Sequence, residues 1–372
     1  PNTVMGIDVI TSASGNIIGT DGDGINDENE GNLISGNTGH GIHIRGLNTG
    51  TPTDNVIAGN RNGVDATGNE PLANDFVVRV WGGLGTRIDA NVISGNDQFG
   101  IYLVESPQTV ITGNLIGLGQ DGSTPLGNGT NGIALRDSPS SVIGGDSVPK
   151  RNVISDNRRG GVDVLRSDDV QISGNFIGTD ASGKIALGNR TPGVFSAGVK
   201  IWDSSNAMIG GIEDGAGNVI GGSPANIEVR GPGAIGTTIV GNHLGVDVDG
   251  DAALDSTGSE RAILVADASN TTIDGNVASG HSGWAFEIFR AAGNLIIDNT
   301  LGTNAAGDAR IGNFGGVRLV DSPDNRVIGN LVSGNRLGVS VERALSTGAV
   351  IQGNRIGTNR SGTDAVGNSD YG

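Results

Sequence analysis

The sequence predicts an all-β solenoid, in which one short unit repeats along the whole chain and the copies stack. Three observations point to this fold class: regularly spaced asparagines, apolar–variable–apolar triplets between them, and a very high glycine content. Glycine makes up 67 of the 372 residues, and these glycines lack the three-residue period of collagen. Glycine at this density marks a turn every few residues, so the strands between the turns must be short.

The repeating unit is clearest in residues 152–177, where three short apolar runs are separated by turns. The unit opens with Asn152-Val153-Ile154, continues with alternating runs at 162–164 and 170–172, and restarts at Asn175. A unit of this size has one apolar side that it cannot bury alone. It becomes stable only when copies stack on one another.

Asparagines followed by an apolar residue at the second position mark the copies. Every second gap between successive members is 23 or 24 residues, and the gaps between are longer, so alternate coils carry an insertion. An inward amide at a corner can hydrogen-bond its equivalents above and below, and asparagine tolerates the left-handed backbone of tight corners. The predicted ladder comprises Asn32, Asn55, Asn91, Asn114, Asn152, Asn175, Asn218, Asn242, Asn276, Asn299, Asn330 and Asn354.

The apolar–variable–apolar triplets predict one strand of each coil. Alternation with a period of two places the flanking pair inside and the middle residue outside. There are twelve such triplets, so we expect about twelve coils of three short strands. Their middle residues are Asp8, His43, Arg79, Tyr102, Ala134, Asp163, Lys200, Glu228, Leu264, Glu287, Arg318 and Ser340.

The insertions of the long coils resemble one another, and each spans 12 residues. Because each leaves its coil at the same corner, we expect them to form a row along one edge, about two strand spacings apart. They occupy residues 63–74, 117–128, 178–189, 245–256, 302–313 and 357–368.

Charge and composition narrow the functional classes. A formal charge of −17 argues against nucleic acid as a partner and suits divalent cations. The chain has no cysteine, and no apolar run approaches the ~18 residues of a membrane span. It also lacks an initiator methionine and a signal peptide. We therefore expect one domain over residues 1–372, cut from a longer exported protein with flanking domains.

The motif Asn-x-Ile-x-Gly-Asn, followed by Gly-Ile-x-Ile and a further Ile-x-Gly, resembles the right-handed parallel β-helix (pectate-lyase-like) superfamily. The repeat is most similar to long bacterial surface and secreted proteins of that fold. The resemblance covers the whole chain and implies a right-handed parallel β-helix. It implies no single function, because the fold carries lyases, hydrolases, epimerases, tailspikes and adhesive stalks.

An acidic loop near the N-terminus is the strongest candidate for a metal site. Asp21, Asp23, Asp27 and Glu30 resemble the tail of calcium loops such as those of thrombospondin-type repeats, although the first acidic position falls on Gly19. Carboxylates on alternate residues with glycine at the turn suit Ca²⁺. The alternative is a solvated acidic loop. A weaker candidate is the set Asp247, Asp249, Asp251 and Asp255.

Catalysis in this fold usually lies on the outward face of one sheet. The densest cluster there is Asp163, Lys200 and Glu228 on successive coils, with Trp202 and Arg230 two residues along. The two carboxylates would lie roughly 10 Å apart, near the wide end of the separation in inverting glycosidases. The alternative is a cross-strand ladder of opposite charges.

A second patch on the outward face combines His43, Arg45, Arg79, Trp81 and Tyr102. Beside it, the Gly-His-Gly sequence at 39–41 resembles that of polygalacturonases, but the paired aspartates and Arg-Ile-Lys of that family do not appear in matching places. Only four histidines are present, which disfavours transition-metal chemistry.

Three functions remain open. The uniform coils favour a rigid, calcium-stabilised structural or adhesive segment of a bacterial surface or secreted protein. The first alternative is a polysaccharide lyase or glycoside hydrolase that uses Asp163, Lys200 and Glu228. The second is a module that binds a polysaccharide or cell-surface glycan without turnover, through the ligand-binding candidates Trp81, Tyr102, Trp202 and Arg230.

Overall fold

The computed structural model describes residues 5–46, 50–191, 193–194, 196–254 and 259–370. It contains three parallel sheets of twelve strands each, and each coil gives one strand to each sheet. The predicted solenoid of about twelve three-stranded coils is therefore confirmed. We number the coils 1–12 by their strand in the first sheet.

The strands of each sheet lie in chain order. The first sheet consists of Met5–Ile10, His40–Arg45, Phe76–Trp81, Ile101–Val104, Asn131–Arg136, Gly160–Leu165, Ala197–Trp202, Ala225–Arg230, Arg261–Ala266, Trp284–Phe289, Gly315–Val320 and Leu337–Glu342. The second consists of Ile17–Gly19, Val56–Ala58, Arg87–Asp89, Val110–Thr112, Val142–Gly144, Gln171–Ser173, Met208–Gly210, Thr238–Val240, Thr272–Asp274, Leu295–Ile297, Arg326–Ile328 and Val350–Gln352. The third consists of Leu33–Ile34, Arg61–Asn62, Val92–Ile93, Leu115–Ile116, Val153–Ile154, Phe176–Ile177, Val219–Ile220, His243–Leu244, Val277–Ala278, Thr300–Leu301, Leu331–Val332 and Arg355–Ile356.

Two short helices lie in loops between the second and third sheets. The α-helix Asp27–Glu30 belongs to the acidic loop of coil 1, and the 3₁₀-helix Val148–Lys150 belongs to coil 5. Within the described part of the chain, no helix has the length and apolarity that crossing a membrane requires.

One continuous hydrophobic core fills the interior of the stack. In coils 2–11 the flanking apolar pairs of the first sheet are at most 1% exposed, as the alternation predicted. The middle residues point away from this core, but His43, Ala134, Glu228 and Leu264 are themselves buried. The expectation that all middle residues lie at the surface was wrong for these four, because neighbouring side chains on the outer face cover them.

The asparagine ladder runs through all twelve coils, with one correction. Asn32 donates to Asn60 and Asn60 donates to Asn91, so Asn60 is the coil 2 member. Asn55 instead accepts from Asn16 at another corner. The 23-residue spacing from Asn32 to Asn55 joined residues at two different corners.

The left-handed corner conformation also falls elsewhere than expected. The ladder asparagines are absent from the residues with positive φ. At several corners the residue that precedes the ladder asparagine adopts the left-handed conformation instead. Examples are Ala90 (φ 54°), before Asn91, and Asp298 (φ 52°), before Asn299.

The six insertions form the predicted row, and they are directly hydrogen-bonded to one another. Gln120 N–H donates to Gly68 C=O, and equivalent bonds of 2.8–3.1 Å join each later insertion to the one before. Leu118 and Leu254 from this row pack with Val153, Phe176 and Val219 of the third sheet in a second hydrophobic cluster. The insertions therefore cover the outer face of the third sheet and leave that of the first sheet open.

Candidate functional site

The predicted cluster on the first sheet is assembled in register. Asp163 pairs with Lys200 and Lys200 with Glu228 across three adjacent strands, and Trp202 pairs with Arg230. Parallel pairing places the side chains of direct partners side by side, about 4.8 Å apart. The structure therefore brings together the five residues that the sequence placed here.

The sequence left open a cross-strand ladder of opposite charges through Asp163, Lys200 and Glu228 as the alternative to a catalytic site. The ion pairs of this cluster follow a different pattern. The Asp163 carboxylate pairs with Arg136 at 3.2 Å, and Glu228 accepts a hydrogen bond from Arg230 Nε at 2.6 Å. The Lys200 ammonium lies over the Trp202 ring, 4.3 Å from its centroid. Burial raises the pKa of Asp163 and the nearby Glu228 adds to this, although Arg136 and Lys200 oppose the shift.

A cleft of about 240 Å³ opens over the cluster. Its lining includes Phe99, Thr130, Arg136, Arg159, Asp163, Lys200 and Glu228. Among the described residues, neither Arg159 nor Lys200 forms an ion pair, whereas both carboxylates are already paired. The cleft therefore contains two cations that form no ion pair with a described residue, in a protein whose net charge is −17.

The second predicted patch is also assembled. The Arg79 guanidinium lies over the Trp81 ring at 5.2 Å and over the Tyr102 ring at 5.8 Å. Arg45 instead binds Asp8 through two nitrogens, at 3.1 and 2.7 Å. The patch and the cleft share one outer face, with Tyr102 in coil 4 and Lys200 in coil 7.

Sequence reasoning missed the aromatic residues that join the two regions. Phe99 stacks on Phe76 and on Tyr102, with ring centroids 6.1 and 4.7 Å apart, and His40 contacts both Phe76 and His43. His40, Phe76 and Phe99 each lie three residues before the middle residue of a triplet. The recurrence of aromatic residues three positions before the middle residue of the triplet could have predicted this cluster from the sequence.

The acidic loop holds three of its predicted ligands close together. Carboxylate oxygens of Asp21, Asp23 and Asp27 all lie within 4.8 Å of one another, a spacing that suits a shared Ca²⁺. The Oδ1 atom of Asp27 is buried and has no hydrogen-bond partner, and Glu30 accepts from the Asp21 N–H. Within the described part of the chain, no other three His, Asp or Glu side chains bring their ligand atoms this close together.

The weaker acidic loop is arranged differently. Asp249 forms an ion pair with Lys184 at 2.7 Å, and Asp247 accepts from the Asp251 N–H. Asp255 lies outside the described residues.

A larger cleft, of about 600 Å³, lies on another part of the surface, between the second and third sheets. Its lining includes Arg151, Phe176, His243 and Asp274. The Arg151 guanidinium stacks on Phe176 at 4.0 Å and donates to Gly174 C=O. None of the predicted site residues lies in this cleft.

Two family models match the chain. One, described as periplasmic copper-binding protein (NosD), matches residues 5–186, and the other, described as right handed beta helix region, matches residues 234–371. No curated protein matches the sequence. With its three parallel sheets, the chain belongs to the right-handed parallel β-helix superfamily.

The chain is also similar to solved structures from three different sources. The A-module of mannuronan C-5 epimerase AlgE6 from Azotobacter vinelandii is 12% identical, with 92% of this chain and 90% of that chain covered and a TM-score of 0.48. Tailspike protein 3 of bacteriophage CBA120 is 10% identical (93% and 51% covered, TM-score 0.40), so this chain spans about half of it. The surface protein and adhesin PfbA of Streptococcus pneumoniae is 11% identical (93% and 91% covered, TM-score 0.30).

The residues matched by the copper-binding family model do not fit a copper site. Copper sites in proteins typically combine several imidazole and sulfur ligands, or nitrogen and oxygen ligands in a square plane. Residues 5–186 contain two histidines, His40 and His43, and one methionine, Met5. Among the described residues no third His, Asp or Glu ligand atom converges with these two imidazoles.

Proposed function

We propose that this protein is a rigid β-helix segment of an exported or cell-surface bacterial protein that binds an anionic polysaccharide on the outer face of its first sheet. The observation that carries the proposal is the cleft around Lys200, where Lys200 and Arg159 lack carboxylate partners. Unpaired cations in a cleft attract and orient anions, and focusing by the cleft strengthens this attraction.

The aromatic residues beside the cleft support a carbohydrate as the ligand. Trp202 and Trp81 are 40% and 43% exposed, unusual for tryptophan, and both flank the outer face of the first sheet. An aromatic ring gives a sugar a flat apolar surface, and nearby charged side chains fix its orientation. Together these residues favour adhesion to a polymer over a purely structural role.

The experiment is incubation with anionic and neutral polysaccharides, with calcium present, followed by assays for binding, unsaturated products and new reducing ends. We expect retention of anionic polymers without products. Lys200→Gln and Arg159→Gln should weaken retention at an unchanged melting temperature. Binding that is equal for neutral and anionic polymers would count against the proposal.

A polysaccharide lyase or glycoside hydrolase is the second candidate, and the partly buried Asp163 favours it. Its raised pKa is typical of carboxyl groups that transfer protons, and Glu228 lies two strands away. Turnover that is lost in Asp163→Asn, Lys200→Ala and Glu228→Gln, with binding and melting temperature retained, would establish an enzyme. We expect no turnover, because Arg136 and Arg230 already neutralise both carboxylates.

We also propose that Asp21, Asp23, Asp27 and Glu30 bind Ca²⁺ and fix the acidic loop of coil 1. Support comes from the three converging carboxylates and the unpartnered Asp27 Oδ1. Removing calcium with a chelator should lower the melting temperature of wild type. Asp23→Ala should have a low melting temperature with or without calcium, and an unchanged wild-type melting temperature on chelation would contradict the proposal.

A further inference from the structure

Unpartnered polar atoms concentrate on the outer face of the first sheet, between coils 2 and 5. Both ring nitrogens of His43, Nδ1 of His40, Nε of Arg79 and Oγ1 of Thr130 are buried and have no hydrogen-bond partner. His43 is only 3% exposed. Asp8 Oδ1 lies 3.7 Å from His43 Nδ1, which is too far for a hydrogen bond. An unsatisfied buried donor or acceptor destabilises the fold, so groups of this kind call for a partner that the folded chain does not supply.

These atoms lie beside the column formed by the rings of Phe76, Phe99 and Tyr102. Phe99 also lines the cleft that contains Lys200, so the column and the cleft are continuous. About three strand spacings, or roughly 14 Å, separate Tyr102 in coil 4 from Lys200 in coil 7. A ligand bound in the cleft and extending along the sheet toward coil 1 would therefore reach the column.

We propose that the face of coils 2–4 is a second subsite, where a sugar ring packs on the aromatic column and its hydroxyls bond to His43 and Arg79. The inference rests on the proposed function and deepens it, because it requires the ligand to be a chain of several sugars. The cleft at Lys200 binds an anionic sugar, and the second subsite binds a further sugar of the same chain through uncharged groups.

The protonation state of His43 favours a hydroxyl over an anion as its partner. Burial, together with the nearby His40 and Arg79, lowers the pKa of His43 to about 4, although Asp8 opposes the shift. The other charged groups around the two imidazoles are Arg45, which is paired with Asp8, and Asp75 near His40. A neutral imidazole has one donor and one acceptor, as a sugar hydroxyl does, so the two groups match without proton uptake.

The experiment measures, by calorimetry, the affinity of wild type and three variants for a disaccharide and for a decasaccharide of polygalacturonate. In wild type the decasaccharide should bind at least about tenfold more tightly, because a second contact on one chain adds to the first. Tyr102→Ala, which removes a ring of the column, and His43→Gln should bind the disaccharide as wild type does and lose most of the gain for the decasaccharide. Leu72→Ala, which changes a 48% exposed residue on the insertion row, is the control and should keep the gain.

The outcomes separate the inference from the proposed function. A length-dependent gain that survives in both Tyr102→Ala and His43→Gln, or no gain in wild type, overturns the second subsite and leaves anion binding at Lys200 standing. A gain that grows as the pH falls from about 6.5 toward 4 would mean that His43 takes up a proton to bind an anionic partner, and would overturn the hydroxyl assignment. Failure of both oligosaccharides to bind would overturn the proposed function and the inference with it.

Discussion

At the scale of single residues, the side-chain amide of an internal ladder asparagine makes four hydrogen bonds. Asn152 Oδ1 accepts from the backbone N–H and the side chain of Asn114, and its Nδ2 donates to Ile111 C=O and to Asn175 Oδ1, at 2.9–3.0 Å. An amide has two donors and two acceptor positions, so none is left unused. The ladder thus satisfies buried backbone groups at a corner where strand pairing stops.

Replacing Asn152 by alanine should cost about 3 kcal/mol or more, because several buried groups lose their partners at once. Asn354→Ala is the matched control, since Asn354 ends the ladder within the described chain and is only half-buried. We expect it to cost about 1 kcal/mol. Urea unfolding measures both changes, and equal small losses would contradict this account of the ladder.

His281 occupies a position in a second ladder, which is otherwise formed by asparagine side chains. Its asparagines include Asn37, Asn74, Asn96, Asn128, Asn157, Asn189, Asn313 and Asn335. Its Nδ1 lies 3.0 Å from Asn313 Oδ1, and its Nε2 lies 2.6 Å from Asn226 Oδ1. A neutral imidazole donates from one nitrogen only. Because Asn226 Nδ2 has no partner, turning that amide over would give His281 Nε2 the donor it needs.

Acid should weaken the fold through His281. Burial lowers its pKa from 6.5 to about 4, whereas the hydrogen bond to Asn313 raises it. Since the unfolded state binds the proton more readily, stability is complete above about pH 6.5 and falls as the pH drops toward 4. The loss is on the order of 3 kcal/mol.

The test of this pH dependence compares urea midpoints at neutral and acid pH for wild type and His281→Asn, which restores the ladder residue. The variant should lose clearly less stability on acidification. A remaining slope is expected from His43, whose pKa is also lowered to about 4. Identical slopes for the two proteins would contradict the role of His281.

At the scale of elements, the insertions act as a cover for the third sheet. Leu254 and Leu72 occupy the same position in two insertions, yet Leu254 is 1% exposed and Leu72 is 48% exposed. Leu254 packs in the second hydrophobic cluster with Phe176 and Val219. The same residue type therefore has different packing in different copies of one loop.

Leu254→Ala should cost about 2–5 kcal/mol, since it empties a packed site. Leu72→Ala should cost less than about 1 kcal/mol, because its side chain is already half in water. Thermal or urea unfolding of the pair measures the contrast. Similar losses in the two variants would mean that the insertions do not bury the third sheet.

The periodic sequence pattern made the strands predictable, but it assigned one asparagine of coil 2 to the wrong corner. The triplets located the strands of the first sheet because their alternation is strict, and register across Asp163, Lys200 and Glu228 followed directly. The spacing rule failed at Asn55, because Asn55-Val56-Ile57 matches the motif at another corner. The true ladder member, Asn60, is followed by Arg61 and Asn62 and lacks the apolar residue at the second position.

At the scale of the whole molecule, repetition made the architecture predictable and left the chemistry of the site open. The sequence placed Lys200 and Trp202 correctly, but it could not show that Arg136 and Arg230 take the carboxylates and leave Lys200 unpaired. Such pairing depends on side-chain directions across coils. The column around Phe99 was missed for the same reason, since its members come from different strands.

The net charge of the protein limits where an anionic polysaccharide can bind. Most of the surface repels anions in a protein of net charge −17, so an anionic polymer should bind only where cations lack partners. Such binding should also weaken with salt, because exposed charges are screened within about 10 Å at 0.1 M ionic strength.

The most direct test is calorimetric titration with polygalacturonate and with its methyl ester, which removes the charge and keeps the sugar chain. We expect wild type to bind polygalacturonate at least about tenfold more tightly than the ester. In the double variant Arg159→Gln, Lys200→Gln that preference should disappear while the melting temperature is unchanged. Equal affinity of wild type for the two polymers, or a preference that survives in a folded double variant, would contradict the account.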